Sequence, residues 1–108
     1  MRHAVSTTTI PAQIGVTFGF RYKVFGPDTG ETVELRKVTK FPPGGLRTPK
    51  GEVLHETERT LRNKIGETRF TSYVLVDNFE LVPGQWSIEI WQGSIRLAAQ
   101  NFTLVKQP

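Results

Sequence analysis

The chain has 108 residues, carries 14 basic against 10 acidic side chains, and contains no cysteine. That length suits one domain burying about two-thirds of its unfolded surface, and the lack of cysteine excludes disulfides, thiolate metal sites and cysteine nucleophiles. No stretch approaches the ~18 apolar residues of a membrane helix, and the segment from Met1 to Ile10 lacks the apolar run of a signal peptide, so a soluble, cytoplasmic protein without a membrane partner is expected.

Residues 1–11 are polar and threonine-rich and read as a tail or a leading edge strand, with a single β domain over 12–106. From Ile14 the apolar residues Val16, Phe18, Phe20, Tyr22 and Val24 recur at period two, the alternation of a strand with one apolar face. Gly15 and Gly19 fall on its other face, where glycine implies a bulge or the close approach of another backbone. Gly26-Pro27-Asp28-Thr29-Gly30 is a turn. A second strand runs from Glu31 to Phe41 with Val33, Leu35, Thr39 and Phe41 in phase. Val38 is out of phase, so the strand is bulged or two-sided. The segment from Pro42 to Gly51, rich in proline and glycine, reads as a long loop.

Residues 52–65 combine good helix formers with threonines, and the reading favours an exposed strand over a helix. Alternation resumes at 67–76, with Phe70, Ser72, Val74 and Val76 assigned to one face and Arg69, Thr71, Tyr73 and Leu75 to the other. Pro83-Gly84 then opens a hairpin in which Trp86, Ile88 and Ile90 face the core. Gln92-Gly93 turns the chain, and Phe102 and Leu104 return inward. The pattern predicts an all-β antiparallel sandwich of about six to seven strands. Its expected core is Val16, Phe18, Phe20, Tyr22, Leu35, Val74, Trp86, Ile88, Ile90 and Phe102.

Three segments carry a resemblance: Ile10-Pro11-Ala12 with Gly15-Val16-x-Phe18-Gly19-Phe20-Arg21-Tyr22, then Phe41-Pro42-Pro43-Gly44, then Leu81-Val82-Pro83-Gly84-x-Trp86. From about Ile10 to Val105 the chain resembles a family of short bacterial proteins, the domain of unknown function DUF3859. The resemblance implies a bacterial source and an immunoglobulin-like sandwich. It transfers no activity and no catalytic residues.

The chemistry-bearing residues give few motifs. His3 lies in the presumed tail and His55 in an exposed segment, neither beside a nucleophile setting. Glu56 and Glu58 share a strand face roughly 7 Å apart, a spacing that sugar hydrolysis could use. Their charged surroundings fit an edge strand that resists aggregation. Asp77, Asn78 and Glu80 put three oxygen ligands in a turn but lack calcium-loop spacing. No cofactor and no metal site is expected.

Two sets remain. Arg36, Lys37, Lys40, Arg47 and Lys50 hold five basic charges between residues 36 and 50 with no acid among them, leaving nine basic against ten acidic groups elsewhere. Such a block is a candidate contact for a polyanion or nucleic acid. Gly15, Gly19, Phe25 and Trp91 fall on outer faces and are candidates for an interface. For Trp91 the alternative is an indole curled over the end of the sandwich. The expected function is a non-enzymatic binding or structural module acting through protein contacts with an unidentified partner, including a homo-oligomer; the alternative is polyanion binding through 36–50.

Overall fold

The computed structural model describes residues 8–26 and 30–106. His3, most of the N-terminal segment and the Pro27–Thr29 part of the first turn lie outside them. Six strands of seven residues or more form the body: β2 (Thr17–Lys23), β3 (Thr32–Lys40), β6 (Glu56–Lys64), β7 (Thr68–Val74), β8 (Gly84–Gln92) and β9 (Ile95–Val105). Three short ones are added: β1 (Thr9–Pro11), β4 (Leu46–Arg47) and β5 (Val53–Leu54).

One sheet has five strands in the order β1-β9-β8-β3-β6; facing it is a sheet of two, β2-β7. All these pairings are antiparallel except β1 with β9, which is parallel. The proposed loop after Phe41 contains a small antiparallel hairpin, β4-β5, whose Leu46 is fully buried. Residues 56–64 are strand, paired with β3 in unbroken register.

An aromatic junction joins the layers. Trp86 on β8 is fully buried and meets Phe41 at 4.9 Å, Tyr73 at 5.3 Å and Phe18 at 5.8 Å, each ring edge-on. Edge-to-face pairs add about 0.5–1.5 kcal/mol each beyond their buried area. The indole N–H donates to the Val82 carbonyl at 3.0 Å, so the polar atom carried inside is satisfied. Phe102, Ile88, Leu104 and Ile10 fill the same cluster. Val24, Leu35 and Ile90 form a second one at the other end, with Phe20 and Tyr22 packed partly buried against it.

The structure corrects two expectations and decides between the alternatives left open at Val38 and Gly19. The first long strand begins at Thr17, not Ile14: Ile14 and Gly15 form a turn and Ile14 is exposed. Val74 is not core. It is 44% exposed while Leu75 is fully buried, so β7 is turned over relative to the reading. The reason is pairing. Phe18 sits opposite Tyr73 and Phe20 opposite Thr71, which brings the odd-numbered side chains under the roof. Val38 sits in a two-sided strand, not a bulge. It is buried on the outer face and Thr39 on the inner, and the register shift falls at Ile90/Trp91 instead. Gly19 answers to its own sheet: a Cβ there would lie 1.8 Å from the Thr71 carbonyl oxygen.

Two stability outcomes follow. Trp86→Ala is expected to cost about 3–5 kcal/mol in urea denaturation, and a midpoint equal to wild type would remove the core assignment. Gly19→Ala is expected to lower the melting temperature by driving β2 and β7 apart, at a cost of about 1–3 kcal/mol or more; an unchanged melt would show that β2 does not run against the Thr71 backbone.

Candidate functional site

The two sheets have unequal widths, and the difference makes the site. Side chains at Val33, Leu35, Lys37 and Thr39 of β3 lie beside Asn63, Leu61, Arg59 and Thr57 of β6 and share their face. That face points inward, because Leu35 and Thr39 are buried on it. β2 packs over β9 and β8 through Phe18, which touches Phe102 and Trp86. β7 packs over β8 and β3, through Tyr73 against Trp86 and a Lys37 ammonium that donates to the Ser72 carbonyl. Among the described residues no strand lies over β6. Its inner face is therefore open.

The opening holds two adjoining hollows that share Lys37, Arg59 and Ser72. One, of about 210 Å³, is lined also by Tyr22, Asn63 and Arg69. The other, of about 430 Å³, reaches Thr39, Thr57, Tyr73 and Glu80. Their charge is one-sided. Arg69 pairs with Glu67 at 2.8 Å. Among the described residues neither Lys37 nor Arg59 pairs with a carboxylate. Burial, and then the Arg59 charge, push the Lys37 ammonium below its ordinary range.

The one acidic group lining this cleft is committed elsewhere. Glu80 closes the single 3-10 turn Asn78–Glu80, accepting from the Val76 and Asp77 backbone N–H groups at 2.8 Å each and from the Tyr73 hydroxyl. Burial, followed by the bond to Glu80, raises the Tyr73 phenol well above its ordinary value. Tyr22 is raised too, chiefly by burial, and donates to the Asn63 side-chain oxygen at 2.5 Å. The cleft thus offers two unmatched cations ringed by hydroxyl groups, an arrangement suited to a carboxylate or another anion.

The basic block of the sequence does not form one surface. Lys37 turns into the cleft. Arg36 and Lys40 lie on the outer face, paired with Glu58 at 3.0 Å and Glu89 at 3.5 Å. Arg47 and Lys50 sit in and after β4, with Arg47 lining a separate hollow beside Pro49 and Phe79.

The interface candidates are similarly dispersed. Gly15 precedes β2, Gly19 lies within it, and Phe25, 83% exposed, follows it with the Lys23 ammonium 5.6 Å from its ring. Trp91 is on the outer face of the other sheet. Its N–H donates to Glu89 at 2.9 Å and the Arg36 guanidinium lies 5.6 Å from its ring, so it covers a buried carboxylate.

His55 is exposed at the β5–β6 junction, and Glu58 is engaged by Arg36. No cluster of three or more metal-ligating side chains occurs among the described residues. Arg59 and Arg69 were missed by sequence reasoning. The readable signal was Lys37, a charge in phase with Leu35 and Thr39 on a face otherwise bound for the interior.

A family model described as "Domain of unknown function (DUF3859)" matches residues 1–104. Among solved structures, an immunoglobulin-like protein from Pseudomonas aeruginosa is 30% identical, with a TM-score of 0.78, covering 92% of this chain and 79% of that one. The fold is accordingly an immunoglobulin-like sandwich. No curated protein matches the chain.

The Tyr73–Glu80 bond has a pH signature. A phenol whose folded pKa is raised stabilises the fold fully below its unfolded value of 10.0, and that contribution is lost as pH rises past it. Tyr73→Phe is expected to cost about 1.5–3 kcal/mol at neutral pH and to flatten the fall in stability above pH 10. An alkaline limb unchanged in Tyr73→Phe would contradict the assignment.

Proposed function

The chain belongs to the DUF3859 family of domains of unknown function, and on that footing we propose that it is a non-enzymatic binding module that receives an acidic segment of a partner protein in the cleft between its sheets. The observation that carries this reading is the Lys37–Arg59 pair. Two cations directly opposite on neighbouring strands repel. Here they do so in a partly desolvated cleft that lowers one of their pKa values. A fold selected only for stability has no use for that repulsion. A bound carboxylate would relieve it and form charge-assisted hydrogen bonds with both groups.

A polypeptide fits better than a nucleic acid. Arg36, Lys37, Lys40, Arg47 and Lys50 point to three different surfaces and so do not follow a phosphate backbone. The cleft also sets threonine hydroxyls beside the apolar Leu61, with Phe70 and Val74 at its β7 rim, a lining that suits an amphipathic segment. Against catalysis stands the commitment of Glu80 to three hydrogen bonds, two from the backbone entering its own turn and one from the Tyr73 hydroxyl.

Calorimetric titration with a synthetic peptide of alternating valine and glutamate tests the reading. Binding that weakens with salt is expected, falling at least about tenfold in Arg59→Ala and in Lys37→Met, since one charge-assisted bond is worth about 1.5–3 kcal/mol. No binding at low salt, or equal binding by both variants, would refute it.

A further inference from the structure

The cleft has the placement of an absent strand. Leu75 directs both its backbone groups toward the β2 side: its N–H donates to Val16 at 3.0 Å and its carbonyl accepts from Gly15 at 2.7 Å. Backbone groups alternate sides along a strand, so Thr71 and Tyr73 bond β2 while Phe70, Ser72 and Val74 face away from it. The Ser72 carbonyl confirms the phase, since it accepts from Lys37 across the cleft rather than from β2. Among the described residues β7 therefore presents a free edge. A further strand on that edge would lie about 4.8 Å from β7 and about 10 Å above the other sheet, which places it over the inner face of β6.

We propose that the free edge of β7 takes up the acidic segment as a third strand of the small sheet, bonded to the backbone of Phe70, Ser72 and Val74, with its inward side chains meeting Lys37 and Arg59. This deepens the function proposed above and rests on it. The chemistry of both sides selects the occupant. Inward positions face Lys37, Arg59 and Thr57, so they must carry carboxylates or hydroxyls. Outward positions flank Phe70 and Val74, which are 46% and 44% exposed, so they should be apolar. The partner segment thus alternates acidic and apolar residues, the period of a strand. Lys37 is the place-holder: its ammonium occupies the Ser72 carbonyl that an incoming N–H would use. On binding, that N–H takes the carbonyl and the ammonium turns to a carboxylate.

Amide hydrogen exchange on the full chain, read by NMR, tests strand addition with the valine–glutamate peptide, its valine–glutamine counterpart, two versions N-methylated at one or the other alternate set of amides, and a single-stranded DNA oligonucleotide. On saturation, exchange at Phe70, Ser72 and Val74 is expected to slow at least about tenfold, while Thr71 and Tyr73, already bonded to β2, stay unchanged. One methylated peptide should lose binding and the other keep it. If the acidic peptide binds through Lys37 and Arg59 but both methylated forms bind equally and the three amides stay unprotected, strand addition is wrong and the cleft reading stands. If the glutamine peptide binds as well as the glutamate one, or the oligonucleotide binds in place of either, the cleft reading fails and strand addition with it.

Discussion

The structure depends on an aromatic junction between two sheets of unequal width. Trp86 fixes the separation of the layers because Phe18, Phe41 and Tyr73 all meet its edge or face from other segments. Those contacts centre the two-stranded sheet over β9, β8 and β3. Everything lateral to that line is left to β6, whose inner face has no strand above it among the described residues. A third strand in the small sheet would have made that face a core, and Arg59 would then have been an unpaired buried charge.

The two faces of the large sheet handle charge in opposite ways. On the outer face Glu34, Arg36, Lys40, Glu58, Arg62, Glu89 and Arg96 all stand in ion pairs. Glu89 is 5% exposed yet sits beneath Trp91 and between Lys40 and Arg96, and Arg36 joins Glu58 to the Trp91 ring. Long side chains there cover the sheet with their own stems. Inside, Lys37 and Arg59 face each other without a counterion among the described residues, and Tyr73 and Glu80 have satisfied only one another and the adjoining turn. This asymmetry gives the inner face a role beyond packing, and the uncovered strand edge beside it says what shape a ligand would have.

Much of this was legible in the sequence, and the misreadings have identifiable causes. Period two at Phe18, Phe20 and Tyr22, and at Trp86, Ile88 and Ile90, marked two strands and their buried faces, because both contain runs of large side chains on one side only. β7 defeated the same logic. Phe70, Val74 and Val76 are as apolar as Tyr73 and Leu75, so hydropathy could not choose a face. The choice came from Tyr73 reaching Glu80 and from its register with Phe18. The basic block looked continuous because neighbouring residues of a strand are adjacent in sequence yet point to opposite faces. Lys37 was thus grouped with Arg36 and Lys40, which it does not accompany. Its true companion, Arg59, is set by the pairing of β3 with β6, and no local pattern encodes that register.

The most direct test of the account is an NMR titration of the Lys37 ammonium, followed through its side-chain signals with and without the valine–glutamate peptide. An unmatched cation held beside Arg59 in a half-closed cleft should titrate below its ordinary value of 10.5 in the free protein and move upward when the peptide's carboxylate arrives. A Lys37 that titrates at the ordinary value and is indifferent to the peptide would contradict both the cleft's electrostatics and the function drawn from it.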